Sequence, residues 1–420
     1  MSDRTKKILL LAGFIVAALI FAFIIYYLFF RPFIAPTPAI NIPPVNLPPT
    51  GLPPIAPAIN LPPTFPGVLP KLPAGIPTIP AILPAVPGPA ISSQAQGGLT
   101  SYQVMETDPS LNPTLATNGT DLIYYDTVSG LFYSINPAGE KKVFSSVPLK
   151  NVQKVTWAPN TQKAVLEYPD GSKIIYNFAQ NTSVTLPSHW KDFAFSPDSQ
   201  KLAFKDMGLD PDNQFIAKVD ANNASSYEHI AALNGEDDSV HISWAPNNQY
   251  VALYEDDIAA NTADVYPIGF NSEDYRSLKV AGRDIHFTWS PTGNVVLYSA
   301  YSADSNYNPT LWVANSSPEL IGTGRNKLQI DTWADKCTFA SDYIVYCAVP
   351  TSLDPGTGFR PDLADSTADY IYVINIKTNQ KSFLAKPLFP TTIGNIIVSK
   401  DGKELYWLEK NTGQIKKMNL

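Results

Sequence analysis

Two of the four histidines in this 420-residue chain open closely similar stretches, HISWAPNNQYVALYE from His241 to Glu255 and HFTWSPTGNVVLYSA from His286 to Ala300. A third such stretch, DFAFSPDSQKLAFKD, puts Asp192 at the same place. Imidazoles and a carboxylate are common ligands of divalent transition metals, so a metal site is the first chemistry to consider. Aligning further copies on the proline position extends the set. The residue five places before it is then Asn112, Lys154, Asp192, His241, His286, Lys336 or Asn395. All seven are polar, and Lys154 and Lys336 would repel a cation. The set reads as a ring of polar side chains that lines and solvates a channel mouth. It is the best candidate for a ligand site, with His241 and His286 as weak metal candidates and no metal expected. His189 and His229 fall outside this alignment and read as surface or strand positions. The chain has no G-x-S-x-G elbow, and no catalytic residue or cofactor is expected.

The two cysteines, Cys337 and Cys347, straddle a turn almost symmetrically, and their even separation puts both on one face of a hairpin. Outside the cytoplasm they could form a disulfide. The alternative is two buried thiols; zinc lacks further ligands.

These residues sit in a repeated unit. KVTWAPNTQKAVLEY begins at Lys154, weaker copies begin at Lys336 and Asn395, and TLATNGTDLIYYD begins at Thr114. Seven copies spaced by roughly 40 to 60 residues are the mark of a propeller. Each copy is an aromatic-ended strand, a turn supplied by Pro, Asp, Asn or Gly, and a second apolar strand. In most copies two more strand-like runs follow. A four-stranded sheet cannot bury both faces alone, so such units must stack in a ring. The last copy stops one strand short at Leu420, and SYQVMETD at Ser101 to Asp108 is left over before the first. It is expected to supply the missing strand. The expected fold is therefore all-β, a seven-bladed β-propeller of four-stranded blades over residues 99–420.

On these motifs the chain resembles TolB-type propellers, the Trp-Asp-like repeat proteins of bacterial envelopes. The copies at Phe195, Trp244 and Trp289 carry the likeness best, and Trp157 nearly as well. The resemblance implies an envelope β-propeller, and it covers about Thr100 to Leu420. A TolB-like N-terminal domain is missing, so a role in the Tol system does not carry over.

Between the second and third strands the connections are long in the middle four copies: DMGLDPDN, EDDIAANTA, YSADSNYNP and PTSLDPGTGFRPDLADSTAD. In a propeller they rise at the end of the ring where the polar positions begin. With GEDDS at Gly235 to Ser239 they make that end acidic, with Tyr301, Tyr307 and Phe359 interspersed.

What precedes the repeats is of another kind. After a cytoplasmic N-terminus (1–7), residues 8–30, ILLLAGFIVAALIFAFIIYYLFF, form an uncharged run long enough to cross a bilayer core of about 30 Å. Arg4, Lys6 and Lys7 precede it, so the positive-inside rule puts everything after Phe30 outside the cytoplasm, in the periplasm or at the cell surface. Residues 31–98 read as a proline-rich linker: 20 of the 39 prolines lie there, in pentads such as NIPPV and NLPPT. In polyproline II geometry it would reach on the order of 200 Å at about 3.1 Å per residue. A net charge of −7 without a basic cluster on the propeller argues against nucleic acid as a partner. The whole reads as a single-pass, membrane-anchored β-propeller that binds a protein, peptide or other ligand outside the membrane. A channel-metal lyase or hydrolase acting on an envelope polysaccharide, and a structural component working through its stalk, are the alternatives.

Overall fold

The computed structural model describes residues 91–420, apart from 226 and 274. The expected membrane span (8–30) and the linker up to residue 90 lie outside the described residues. Among the described residues no helix is long and apolar enough to cross a membrane.

The repeats fold into seven sheets of four antiparallel strands, with a fifth strand added to one of them. The innermost strands, numbered by blade, are Ser110–Leu115, Lys154–Trp157, Trp190–Phe195, Val240–Ile242, Arg283–Trp289, Cys337–Ser341 and Ile393–Val398. Their aromatic and β-branched residues alternate along the strand and wedge between neighbouring sheets. Trp157, for example, stacks on Phe178 at 5.2 Å and meets Phe132 of blade 1 edge-on at 5.5 Å. Each of the seven interfaces between blades has its own apolar cluster. The cluster of Leu122, Tyr124, Ile135, Tyr406 and Ile415 joins blade 7 to blade 1 and completes the ring.

The turn between first and second strands is built alike in most blades. Its fourth residue takes a left-handed backbone at Gly119, Thr161, Ser199, Asn248, Gly293 and Gly402. At Gly293 the requirement is doubled, because a Cβ would also lie 2.6 Å from the Asn247 amide of blade 4. That close approach lets the Asn247 side-chain amide donate to the Gly293 carbonyl at 2.8 Å.

Closure follows the expected route. Gln103–Glu106 pairs antiparallel with Ile415–Asn419 as the outer strand of blade 7. Glu106 then accepts from Tyr124 Oη at 2.5 Å and from Lys141, both in blade 1. One short strand thus ties the last blade to the first, removing an open edge.

Two features differ from the sequence reading. Residues 92–98, read as linker, are already bonded to the ring: Ala95 donates to the Asn419 carbonyl at 3.0 Å, and Gly98–Thr100 runs parallel along Gln380–Pro387 of blade 6. EDDIAANTA in blade 4 is no loop. Tyr250–Ala259 and Thr262–Gly269 continue as a projecting ribbon with only two residues between them.

Candidate functional site

The connections between second and third strands, and those between blades, emerge at one end of the ring. The polar positions lie at that end, on or beside the start of each inner strand. Register shifts at Leu111/Thr114, Lys191/Ala194, Arg283/His286 and Ile393/Asn395 bulge four of these strands there. Asn112 and Asp192 take left-handed backbones. Bulges re-aim side chains, and two of these residues reach the next blade, Asn112 to Val155 and His286 to Asp335.

Each ring residue consequently has its own surroundings. Asn112 is a clamp: its side-chain oxygen accepts from the Val155 amide at 3.0 Å, and its carbonyl accepts from the Trp157 indole at 2.8 Å. Lys154 lies 3.6 Å from Glu167, and Asp192 lies 2.8 Å from Lys205, which also donates to the Asp237 carbonyl. His241 Nε2 is 3.6 Å from Glu255. Asn395 is exposed and borders the channel with Pro113, Thr114, Thr288 and Thr338, in a cavity of about 500 Å³.

The other two are more strongly held. His286 Nδ1 donates to Asp335 at 2.5 Å, and its Nε2 lies 3.7 Å from Asp284. Burial alone would lower the imidazole pKa, but the bonds and charges of Asp284 and Asp335 outweigh it and push the pKa up to about 10. His286 is an imidazolium at neutral pH. Lys336 is buried and reaches both oxygens of Asp369, at 2.7 and 2.8 Å, while Asp369 also accepts from the Ile393 amide. Burial pushes the Lys336 ammonium pKa down and the Asp369 carboxyl pKa up, each partly countered by the other's charge.

The ring is therefore divided among separate places. Lys154, Asp192 and His241 meet in a cavity of about 370 Å³ across blades 2 to 4, with Lys205 and Asp238. His286 and Lys336 line another of about 230 Å³ across blades 5 to 7, with Trp333, Asp365 and Lys410. A further cavity, about 390 Å³ and lined by Tyr254, Tyr266 and Tyr275, lies between blades 3 and 4 and holds no ring residue. Among the described residues no three His, Cys, Asp or Glu side chains converge as a metal site. Cys337 and Cys347 are joined by a disulfide directly across the first two strands of blade 6, with Cα atoms 4.1 Å apart.

One cluster falls outside the ring alignment. His189 Nε2 lies 3.1 Å from Asp206 Oδ1, and His229 Nε2 lies 3.4 Å from Asp206 Oδ2. Tyr227 Oη donates to the same carboxylate and touches His229, whose ring stacks on Phe215 at 3.9 Å. The alternation of Tyr227 and His229 was the only trace of this in the sequence. Asp206 and His189 come from other strands of blade 3 and the strand entry before it.

No protein-family model matches the chain, and no curated protein matches it. Among solved structures it is similar to an oligogalacturonate lyase in complex with manganese, at TM-score 0.52 and 13% identity over 76% of this chain and 90% of that one. It is similar to an oligogalacturonate lyase from Vibrio parahaemolyticus, at 0.50 and 11% over 76% and 91%. It is likewise similar to the β-propeller domain of Swd1 from Myceliophteria thermophila, at 0.51 and 11% over 76% and 99%. At such identities the likeness is one of fold, and the shared fold is the seven-bladed β-propeller.

Proposed function

We propose that this chain is a binding scaffold of the cell envelope. In this reading residues 8–30 anchor it, the proline-rich segment from residue 31 to about residue 90 holds it clear of the bilayer, and a TolB-type propeller presents one end of its ring to a protein or other ligand. The observation that carries it is the way the polar positions are used. Lys154, Asp192, His286 and Lys336 each stand against an opposite charge on a neighbouring strand or connection, and His241 lies 3.6 Å from Glu255. Such pairing fixes a rigid, charged rim, and exposed connections on a rigid frame are where recognition usually resides. The test is crosslinking and copurification from the native membrane. A partner recovered with the full-length protein and reduced by removing residues 36–89 would assign the work to the stalk; a partner unaffected by that deletion assigns it to the propeller. Recovery of no partner by either form overturns the scaffold.

The lyase with manganese prompts a comparison with channel-metal chemistry on a polysaccharide. The ring fits a resident divalent ion poorly, because among the described residues no three His, Cys, Asp or Glu side chains converge as ligands, and Lys336 lines the same cavity as His286. We therefore read the chain as a non-enzyme. Purified protein should carry no stoichiometric metal, and His241→Ala and His286→Ala should leave its metal content unchanged. One bound equivalent lost in either variant would favour the lyase reading.

A further inference from the structure

The four long connections share a pattern that the ring does not explain. In blade 3 the fully exposed Leu209 is followed by Asp210 and Asp212, and in blade 4 Ile258 stands at the ribbon's tip after Asp256 and Asp257. Blade 5 carries Asp304 with Tyr307, and blade 6 carries Phe359 and Leu363 around Asp362. Ile258, Tyr307, Phe359 and Leu363 are 40 to 59% exposed. Acid and bare apolar side chain thus recur together four times in neighbouring blades. The sole basic residue in residues 208–213, 256–261, 302–309 and 351–368 is Arg360, bonded to Asp362 at 2.8 and 2.9 Å; from outside them Arg283 reaches Asp257 at 3.4 Å and Lys410 pairs with Asp365, which leaves Asp210, Asp212, Asp256, Asp304 and Asp354 without a cation in contact among the described residues. At the other end of the ring the turns carry Arg325, Lys377, Lys400 and Lys403, the last 3.4 Å from Asp401. The acidic excess belongs to one end.

Tolerated insertions would hang independently, and those of blades 4 to 6 do not. The Ala303 amide donates to Asn261 Oδ1 at 3.2 Å, linking blade 5 to the blade 4 ribbon. The Gly356 and Gly358 amides donate to the Asn306 and Tyr307 carbonyls, each at 2.8 Å, linking blade 6 to blade 5. Phe359 packs on Tyr301 and Tyr307, with centroids 4.5 and 5.0 Å away. A Cβ on Gly358 would meet the Tyr307 carbonyl at 2.5 Å, so only glycine permits this seam. The connections of blades 4 to 6 are locked together while their apolar tips stay in water, an arrangement that preorganises a docking surface, and the blade 3 connection stands beside them on its own internal bonds.

We propose that the crescent over blades 3 to 6 docks a basic protein segment bearing spaced apolar side chains. This rests on the scaffold reading and names the partner's chemistry. Carboxylates steer a cationic chain to the face, and the exposed tips supply the contacts that slow its departure. Lysine or arginine on the partner would neutralise an acidic field that would repel an acidic partner.

The probe is a labelled peptide of lysine and serine with interspersed tryptophans, titrated into the full-length protein. Expected are binding that weakens steeply with salt and hydrogen-exchange protection in residues 302–309 and 351–368. The paired change Asp256→Asn/Asp257→Asn, and separately Phe359→Ala, should each weaken binding about tenfold. Ile258→Ser, at a solvent-exposed tip, gives the same reading should Phe359→Ala disturb the seam. Glu319→Gln/Leu320→Ser, an exposed acid and apolar pair outside these four connections, should change nothing. Equal loss in that pair, equal binding of a peptide lacking tryptophan, or no binding at all overturns the crescent. Those results leave the scaffold reading to its own copurification test.

Discussion

His286 is where charge and structure are most tightly coupled. Its folded pKa of about 10 lies above the roughly 6.5 of a free imidazole, so folding strengthens proton binding. A raised pKa stabilises fully below the unfolded value, so the contribution is complete below about pH 6.5 and is lost as pH rises toward about 10. Asp284 and Asp335 are the carboxylates that face the ring. Because the side chain is 30% exposed, the effect is about 2 kcal/mol, less than the full shift implies. Urea unfolding from pH 6.5 to 10 should show a decline that His286→Gln flattens; parallel profiles would refute the assignment. Lys336 and Asp369 make a different case, for there the loss is geometric. Lys336→Met strands a carboxylate with 0% side-chain exposure and should cost about 3–5 kcal/mol. Adding Asp369→Asn, which keeps an acceptor for the Ile393 amide, should recover more than half. If the double variant is no more stable than the single, the pair is not what holds this junction.

At the scale of the strand and hairpin, much was legible. The alternation in KVTW, FAF and FTW, and the turn residues after them, follow from one local rule: apolar side chains every second position and a left-handed residue to reverse the chain. The ring positions followed from the same alignment. Their partners did not, because Asp335 is 49 residues from His286, and Asp206 meets His189 and His229 only through the strand pairing of blade 3. The blade 4 ribbon was misread because its acidic tip, exposed from Asp257 to Thr262, shows no apolar alternation. Gly98–Thr100 left no mark either, since its parallel pairing uses backbone groups alone. Blade 6 offers the test at this scale. The bond between Cys337 and Cys347 closes a short loop, so a Cys337→Ala/Cys347→Ala protein should lose about 2–3 kcal/mol by denaturant unfolding. The same cross-strand contacts remain in that variant. Unchanged stability, or two thiols titrated in the folded protein without reductant, would show that the hairpin does not depend on the bond.

For the whole molecule the decisive contact is the one between its ends. Six interfaces join blades adjacent in sequence, whereas the seventh is made by Leu122, Tyr124 and Ile135 against Tyr406 and Ile415, nearly 300 residues later. That interface alone has to be recruited across the full chain, and its outer strand comes from residues that precede the first repeat. Glu106 adds a second tie, its carboxylate held by Tyr124 and Lys141; burial favours the neutral acid, but those bonds and the Lys141 charge bring its pKa below the ordinary value. Removing the strand leaves the edge of blade 7 open and the buried Tyr124 hydroxyl of blade 1 without its acceptor, and takes from Lys141 its closest carboxylate. Residues 92–100 contribute a further, weaker seam through the Ala95 and Gly97 amides. Truncation should therefore be graded. A protein beginning at residue 91 should unfold in one cooperative transition, one beginning at residue 101 should melt a few degrees lower, and one beginning at residue 108 should lose cooperativity and self-associate through the exposed edge. Calorimetry with light scattering on the three forms reads this directly. A cooperative, monomeric transition in the shortest form would mean that the apolar interface between blades 7 and 1 closes the ring without its strand.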